Sequence, residues 1–389
     1  MIASASSSVA LSCIAFWGPV ILSAPMPTQS SLDAMPRAWV EVDLAALVRN
    51  ARALAAHSRA QLIPMIKADA YGLGAVPVAG ALEQVAPYAY GVSSIIEGEE
   101  LRGAGISRPI IVFTPTLPED LARLRAAGLT PTLASVQGIQ AWQALGGGDW
   151  HLAVETGMHR AGIAWHRVSE LAEAMRGCPP SGAFTHFHSA EADDGSVAEQ
   201  EGRFRAALAA VPIVPPMLHC DNSAAVVRRS PSPWPCVRPG AFLYGIGSGA
   251  SAARHPEPVV HLRAKVMELR DIATGEGVSY HQTWTAPGPR RIATVAVGYG
   301  DGYRRHLSNV GRALFRGREV PVVGIVTMDM TMCDVTGLDV RAGDVLTLLG
   351  RDGEAVIGVE QLAAWGQVFS YELIAGLRQR LQRVYTGAE

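Results

Sequence analysis

LIPMIKADAYGLGAVPVAGALEQVAPYAYGVSS, residues 62–94, reads as strand, turn, helix and strand. The runs LIPMIKA and YAYGVSS are short, apolar and bounded by turn residues, as buried strands are. Between them VPVAGALEQV spaces its apolar side chains at three and four, the period of a helix packed on one face. Lys67 breaks the pattern. An ammonium that ends a buried strand is costly to desolvate unless it has a partner or a chemical task.

The same unit recurs. Strand-type runs follow at PIIVFTP (109–115), TPTLAS (130–135), DWHLAVET (149–156), SGAFTHFH (181–188), MLHCDNSA (217–224) and VRPGAFLYGI (237–246), with helix-type windows between most of them. Eight strands alternating with helices predict a (β/α)8 TIM-type barrel over residues 36–255. Past residue 255 the rhythm changes. VVHLRAKVMELRDI (259–272), EVPVVGIV (319–326) and DVLTLLG (344–350) are β-rich, and helix-type windows return only at VEQLAAWG (359–366) and ELIAGLRQRLQRVY (372–385). Residues 256–389 are therefore expected to form a C-terminal, mostly-β domain.

Composition narrows the class. The chain is 389 residues long and 49% hydrophobic, enough for a large core and too apolar for a disordered chain. A net charge of -2 without a basic run gives no purchase on nucleic acid or an anionic membrane. Five cysteines are scattered without a C-x-x-C pair, which fits a reducing compartment or use as small apolar residues. Residues 1–35 form a leader with an apolar stretch from Val9 to Leu22 and no Lys or Arg before Arg37. Without a positive n-region it reads as a disordered leader or an upstream mis-start, with export the competing reading. The expected location is the cytoplasm, with no membrane partner.

Barrel enzymes carry their chemistry where strands end on the C-terminal face. Lys67, Arg160, His186, His188, Asn222, Ser223 and Arg238 fall at such places. Each has a plain structural reading: a rim lysine, a packed histidine, a serine helix cap. Tyr280, in GVSYHQTW, taken alone is a partly buried aromatic. No carboxylate or third histidine stands at ligand spacing from His186 and His188, so no metal site is expected. Taken together, a strand-end lysine, a glycine-bearing loop and a Ser-capped helix start suit a phosphorylated carbonyl cofactor joined to Lys67 as a Schiff base.

KADAYGLG (67–74) resembles the cofactor-lysine signature of alanine racemases, pyridoxal-phosphate enzymes built from a barrel plus a β domain. TGMHRAGI (156–163), THFHSAE (185–191), DNSAA (221–225), VRPGAFLYG (237–245), VSYHQTWTA (278–286), VGYGDGYRR (297–305), TMDMTM (327–332) and SYE (370–372) resemble further blocks of that family, in its order. The resemblance covers residues 36–389 and implies interconversion of L- and D-alanine, supplying D-alanine for peptidoglycan. It implies that Lys67 holds pyridoxal 5'-phosphate and acts as acid/base on one face of the substrate Cα. It implies that Tyr280 does so on the other face, reaching across from the second subunit of a homodimer. His186 and Arg238 match the residues behind that tyrosine, since a tyrosine is a poor base unless neighbours favour its phenolate. Arg238 also matches the arginine facing the pyridine nitrogen, which it keeps unprotonated because a guanidinium does not give up its proton. Tyr71, Ser223, Gly240, Ala241 and Tyr371 match the phosphate-binding group, and Arg160 the arginine at the phenolic oxygen. Met328 matches the substrate-carboxylate region supplied by the partner, and Tyr299 the entrance tyrosine.

One departure bears on specificity. Many members carry a carbamylated lysine three residues before the Thr-Gly-Met block; here that residue is Ala153. Either an anion such as chloride fills the space beside Arg160, or a nearby carboxylate takes over, a role the spacing does not give to Glu155. His159 and the pair Ile374-Ala375 also depart from the usual residues. Ala153 makes a broad-specificity or serine-preferring amino-acid racemase the alternative reading, while Tyr371 favours a small side chain.

Overall fold

The computed structural model of the chain describes residues 22–23, 35–211, 213–249, 252 and 254–387. The expected leader lies outside the described residues except at Leu22, Ser23 and Met35.

Gln61–Leu62, Tyr90–Val92, Ile110–Val112, Thr130–Leu133, His151–Glu155, Gly182–Phe184, Met217–Asn222 and Cys236–Arg238 form a parallel sheet. From the second strand onward, each pairs with the next, and the last pairs with the first. The remaining seam is sewn by Tyr88 N–H to Leu62 O, Gly91 N–H to Pro64 O and Ile66 N–H to Gly91 O, each at 2.9 Å, with a parallel bridge between Met65 and Gly91. The eight-stranded barrel expected from the alternation closes. Its strands are nearly continuous apolar runs because helices cover their outer face and side chains fill the inside. Local chemistry starts the helices. Ser94 and Glu97 form a reciprocal capping box on Ile95–Gly103, and the Ser135 hydroxyl caps Val136–Ala144.

The second sheet is mostly antiparallel. Its spine is the long strand Val260–Ile272, which pairs with Ala38–Asp43, Arg290–Val295 and Val345–Asp352. Ala38–Asp43 thus belongs to this sheet, and the helix Leu44–Ser58, capped by Asp43, carries the chain across to the barrel. Gln382–Thr386 returns to lie parallel to Ala38–Asp43.

That last strand corrects the helical reading of ELIAGLRQRLQRVY. The helix Ser370–Ala375 stops at Gly376, and the residues from Gln382 are extended. Gly376 weakens the helix, while Val384 and Tyr385 are β-formers whose side chains are buried in the sheet. Tertiary pairing overrides the 3.6-residue pattern.

Candidate active site

The C-terminal ends of the barrel strands and the helix Ser370–Ala375 surround a cavity of about 740 Å3. Nine of the twelve residues that the resemblance assigns to the site line it: Lys67, Tyr71, Arg160, His186, Ser223, Arg238, Gly240, Ala241 and Tyr371; of the two other strand-end candidates Asn222 lines it and His188 does not. The other three of the twelve lie off it on the second domain. Tyr280 is 66% exposed, Met328 53% and Tyr299 41%.

Lys67 opens an unusual turn. Ala68, Asp69, Ala70 and Tyr71 all have positive φ, between 51° and 58°, so four successive L-residues wind left-handed. Each such residue costs about 1–2 kcal/mol, so surrounding contacts must impose the turn. Ala68 N–H donates to the Glu97 carboxylate at 2.7 Å, and Ala75 N–H to that of Asp69 at 2.7 Å. Burial lowers the pKa of the Lys67 ammonium, and the charges of Arg160 and Arg238 lower it further against a partial offset from Glu97.

Arg238 is buried and held by main-chain carbonyls and a histidine ring. Its Nη1 donates to His219 Nδ1 at 2.9 Å and to the His219 carbonyl; Nη2 donates to Thr185 O at 2.7 Å and Cys220 O at 3.0 Å. Burial pulls its pKa down to about 10. The Nε–H has no partner among the described residues. An arginine only donates, so His219 Nδ1 accepts and its Nε2–H must donate to His151 Nδ1, 2.7 Å away. Two neutral imidazoles thus fix the guanidinium from behind. Sequence reasoning missed this pair; the available signal was a histidine inside each of two apolar runs, DWHLAVET and MLHCDNSA.

These histidines make stability depend on pH. Burial first, then the charge of Arg238, pulls His151 down to about 3; burial, Arg238 and Arg160 do the same to His186. Unfolded histidine titrates near 6.5, so the unfolded chain binds more protons below that pH. Stability from keeping these rings neutral is complete above about pH 6.5 and is lost as pH falls toward 3. The cofactor-free protein is expected to lose about 1.4 kcal/mol per pH unit for each such ring between pH 6 and 4. Urea midpoints measure this, and His151→Gln should flatten the slope by one proton; an unchanged slope would refute the assignment.

Beyond the end of the Arg238 strand, Ser223 Oγ accepts from Gly240 N–H at 2.9 Å and Phe242 N–H at 3.3 Å, leaving its own hydroxyl proton free to donate. A Cβ at Gly240 would lie 2.5 Å from the Tyr71 hydroxyl, so only glycine lets the two approach. The Tyr71 and Tyr371 rings stand 5.9 Å apart, and Phe369 stacks on Tyr371 at 4.7 Å. A hydroxyl proton left free and two phenols suit an oxyanion such as phosphate.

Glu155 answers part of the Ala153 question. Its carboxylate accepts from Gly157 N–H at 2.5 Å and Arg160 N–H at 3.2 Å. Burial works against its charge, but the N–H groups of residues 157–160 prevail and hold its pKa low. It therefore secures the backbone of the Arg160 loop. Among the described residues, no carboxylate forms an ion pair with Lys67, Arg160 or Arg238.

The descriptions "Alanine racemase, N-terminal domain" and "Alanine racemase, C-terminal domain" match residues 42–248 and 259–385. The chain is 34% identical over 371 residues to an alanine racemase of Nostoc sp., covering 90% of this chain and 95% of that one. It superposes with a TM-score of 0.82 and 28% identity on the Bartonella henselae alanine racemase with covalently bound pyridoxal phosphate, over 90% of this chain and 99% of that one. The Bacillus anthracis alanine racemase with bound L-Ala-P gives a TM-score of 0.82 at 29% identity, over 93% and 96% of the two chains. With matches along both domains and more than 30% identity across nine-tenths of its length, the chain belongs to the alanine racemase family.

Proposed function

We propose that this protein is a pyridoxal-phosphate-dependent racemase that interconverts L- and D-alanine and supplies D-alanine for peptidoglycan. The observation that carries the reading is one cavity lined by three cations, Lys67, Arg160 and Arg238, none of which forms an ion pair among the described residues although Glu155, Glu191 and Glu372 also line it. Of the three, Arg238 is buried, Lys67 half-buried and Arg160 exposed, and a buried cation without an ion-pair partner is costly unless an anionic ligand offsets it. An anionic cofactor with an amino-acid carboxylate does so.

The residues fit that cofactor. Tyr71, Ser223, Gly240, Ala241 and Tyr371 would hold its phosphate, Arg160 its phenolic oxygen, and Lys67 the cofactor covalently. Pyridoxal phosphate, when bound, draws electrons from the substrate Cα and acidifies its C–H bond. Arg238, with its free Nε–H, would donate to the ring nitrogen and, being unable to give up its proton, would leave that nitrogen unprotonated and limit the withdrawal. Burial and the charges of Arg160 and Arg238 ease the loss of the Lys67 proton, which suits an amine that takes or returns a proton at one face of Cα.

The opposite face needs a second group, since one base returns the proton to the side it left. Tyr280 supplies it from a second copy of the chain, whose Met328 main chain holds the substrate carboxylate and whose Tyr299 narrows the entrance. His186 is neutral, and its Nδ1 accepts from Arg238 Nη2 at 3.4 Å, so its Nε2–H is free to hold the tyrosine oxygen. Residues 36–255 thus provide most of the cofactor site, with Tyr371 added from residues 256–389, which also carry the groups that complete a partner's. The buried, unpaired thiols of Cys178, Cys220, Cys236 and Cys333 favour the cytoplasm. Among the described residues no helix is long and apolar enough to cross a membrane.

Racemisation of L-alanine and L-serine, side by side in deuterated water with added pyridoxal phosphate, tests the reading. Fast alanine and slow serine turnover is the expected result. Comparable rates would favour the broad-specificity alternative that Ala153 raises, and no turnover of either would refute the proposal. A smaller prediction concerns the space beside Ala153. Chloride is expected to raise turnover severalfold by supplying the charge that orients Arg160, and Ala153→Lys should change that dependence. Indifference of both proteins to chloride would discard the anion.

A further inference from the structure

Arg383 lies in the last strand, far along the chain from the cavity, and is largely buried without a carboxylate partner among the described residues. Its pKa is lowered by burial, against partial offsets from Asp69 and Tyr385. What holds it is main chain. Nε donates to Gly72 O at 3.0 Å and Nη2 to the same oxygen at 2.8 Å. The other Nη2 proton reaches Leu377 O at 2.8 Å, and Nη1 reaches Arg378 O and Leu381 O, both at 2.7 Å. All five N–H donors of the guanidinium are used, each on a carbonyl.

Those carbonyls belong to the segments that carry the two cavity phenols. Gly72 directly follows Tyr71 and ends the left-handed turn; Leu377 and Arg378 come after Gly376, which caps the helix of Tyr371, while Leu381 precedes Arg383's own strand. The segments touch backbone to backbone, since a Cβ on Gly72 would lie 3.2 Å from Ile374 O and 3.4 Å from Ala375 Cα. Tyr385, two residues on, donates its hydroxyl to Leu73 O at 3.0 Å. It stands so close to Gly74 that a Cβ there would fall 2.0 Å from its oxygen.

We propose that Arg383 is a positioning residue for the phosphate clamp: it fixes the spacing of Tyr71 and Tyr371 by holding both segments by their carbonyls. Tyr385 assists it. A planar, five-donor cation suits the task because a single rigid group can span both segments, which a lysine's point charge cannot do. The left-handed turn is costly on its own, so the arginine acts on the segment most prone to relax. Arg383 touches neither cofactor nor substrate. Its effect should appear in phosphate recognition, leaving attachment to Lys67 intact.

This inference rests on the cofactor reading above, and its test separates the two. Arg383→Met, Arg383→Lys, Tyr385→Phe and wild type are stripped of cofactor and titrated with pyridoxal phosphate and, separately, with pyridoxal, which lacks the phosphate. Absorbance of the lysine-bound chromophore is the readout. Arg383→Met is expected to weaken pyridoxal phosphate about tenfold, a loss of ~1.4 kcal/mol, while pyridoxal changes by less than about twofold. Arg383→Lys should recover part of the loss, and Tyr385→Phe should shift the ratio in the same direction by about threefold. If Arg383→Met does not fold, the Lys and Phe variants carry the test. Equal weakening of both ligands, or no change in their ratio in any variant, would overturn the positioning role. A wild type that binds neither ligand would overturn the functional reading and this inference with it.

Discussion

Lys67→Ala is expected to abolish the absorbance of lysine-bound cofactor and to lower racemisation by more than ~10^4-fold. A positioned acid/base alone supplies about 10^2–10^4; Lys67 is also assigned the covalent attachment, so both contributions go together. Folding should not suffer. Lys67 is a largely buried ammonium depressed by burial, Arg160 and Arg238, and removing it relieves like-charge repulsion. The cofactor-free variant should melt at or above the wild-type temperature. Lys67→Arg decides against the plain reading of a rim lysine. It keeps the charge and forms no such bond, so a rim cation would tolerate it whereas the proposed role predicts an equally inactive protein. An unchanged spectrum in either variant would remove Lys67 from the mechanism.

The sequence carried the barrel because periodicity is local. Each strand–helix unit repeats within some thirty residues, and buried parallel strands write themselves as apolar runs. Most of the cavity was legible for a related reason. In a barrel the chemistry sits at strand ends, so a polar residue closing an apolar run marks a position as well as a type. What stayed hidden was non-local. Nothing near Arg383 in sequence says that it answers to Gly72, 311 residues away. Its neighbours Leu377, Leu381 and Val384 fit a helical stripe well enough to mislead. His151 and His219 lie 68 residues apart, and their hydrogen bond exists only because their strands face one barrel interior. The four left-handed residues after Lys67 were hidden for another reason. Ala68, Asp69, Ala70 and Tyr71 are not residues that announce positive φ, and the conformation is imposed by Glu97, Asp69, Arg383 and Tyr385.

Tyr280, like Lys67, adjoins strained backbone, which is where its prediction starts. Ser279 has φ 65° and ψ -170°, and His281 and Gln282 also have positive φ. Ser279 Oγ anchors the turn to Ile325 O at 2.7 Å, yet the phenol it presents is 66% exposed and does not line its own chain's cavity. A conformation that costs about 1–3 kcal/mol to display an aromatic ring to water makes sense if a second chain receives the ring. Tyr280→Phe is expected to slow exchange of the α-hydrogen for deuterium by ~10^2–10^4-fold when one enantiomer is supplied, with a much smaller effect from the other. Equal, mild slowing from both would count against two bases. Mixing adds a stoichiometric test. Lys67→Ala and Tyr280→Phe are each expected to lose racemisation, but if the tyrosine acts across a two-fold dimer, subunit exchange builds one intact site in each mixed dimer. Mixed dimers make up half of the population, so an equal mixture should regain about a quarter of wild-type activity. If Tyr280 serves its own chain, no pairing of the two variants restores an intact site and the mixture stays inactive.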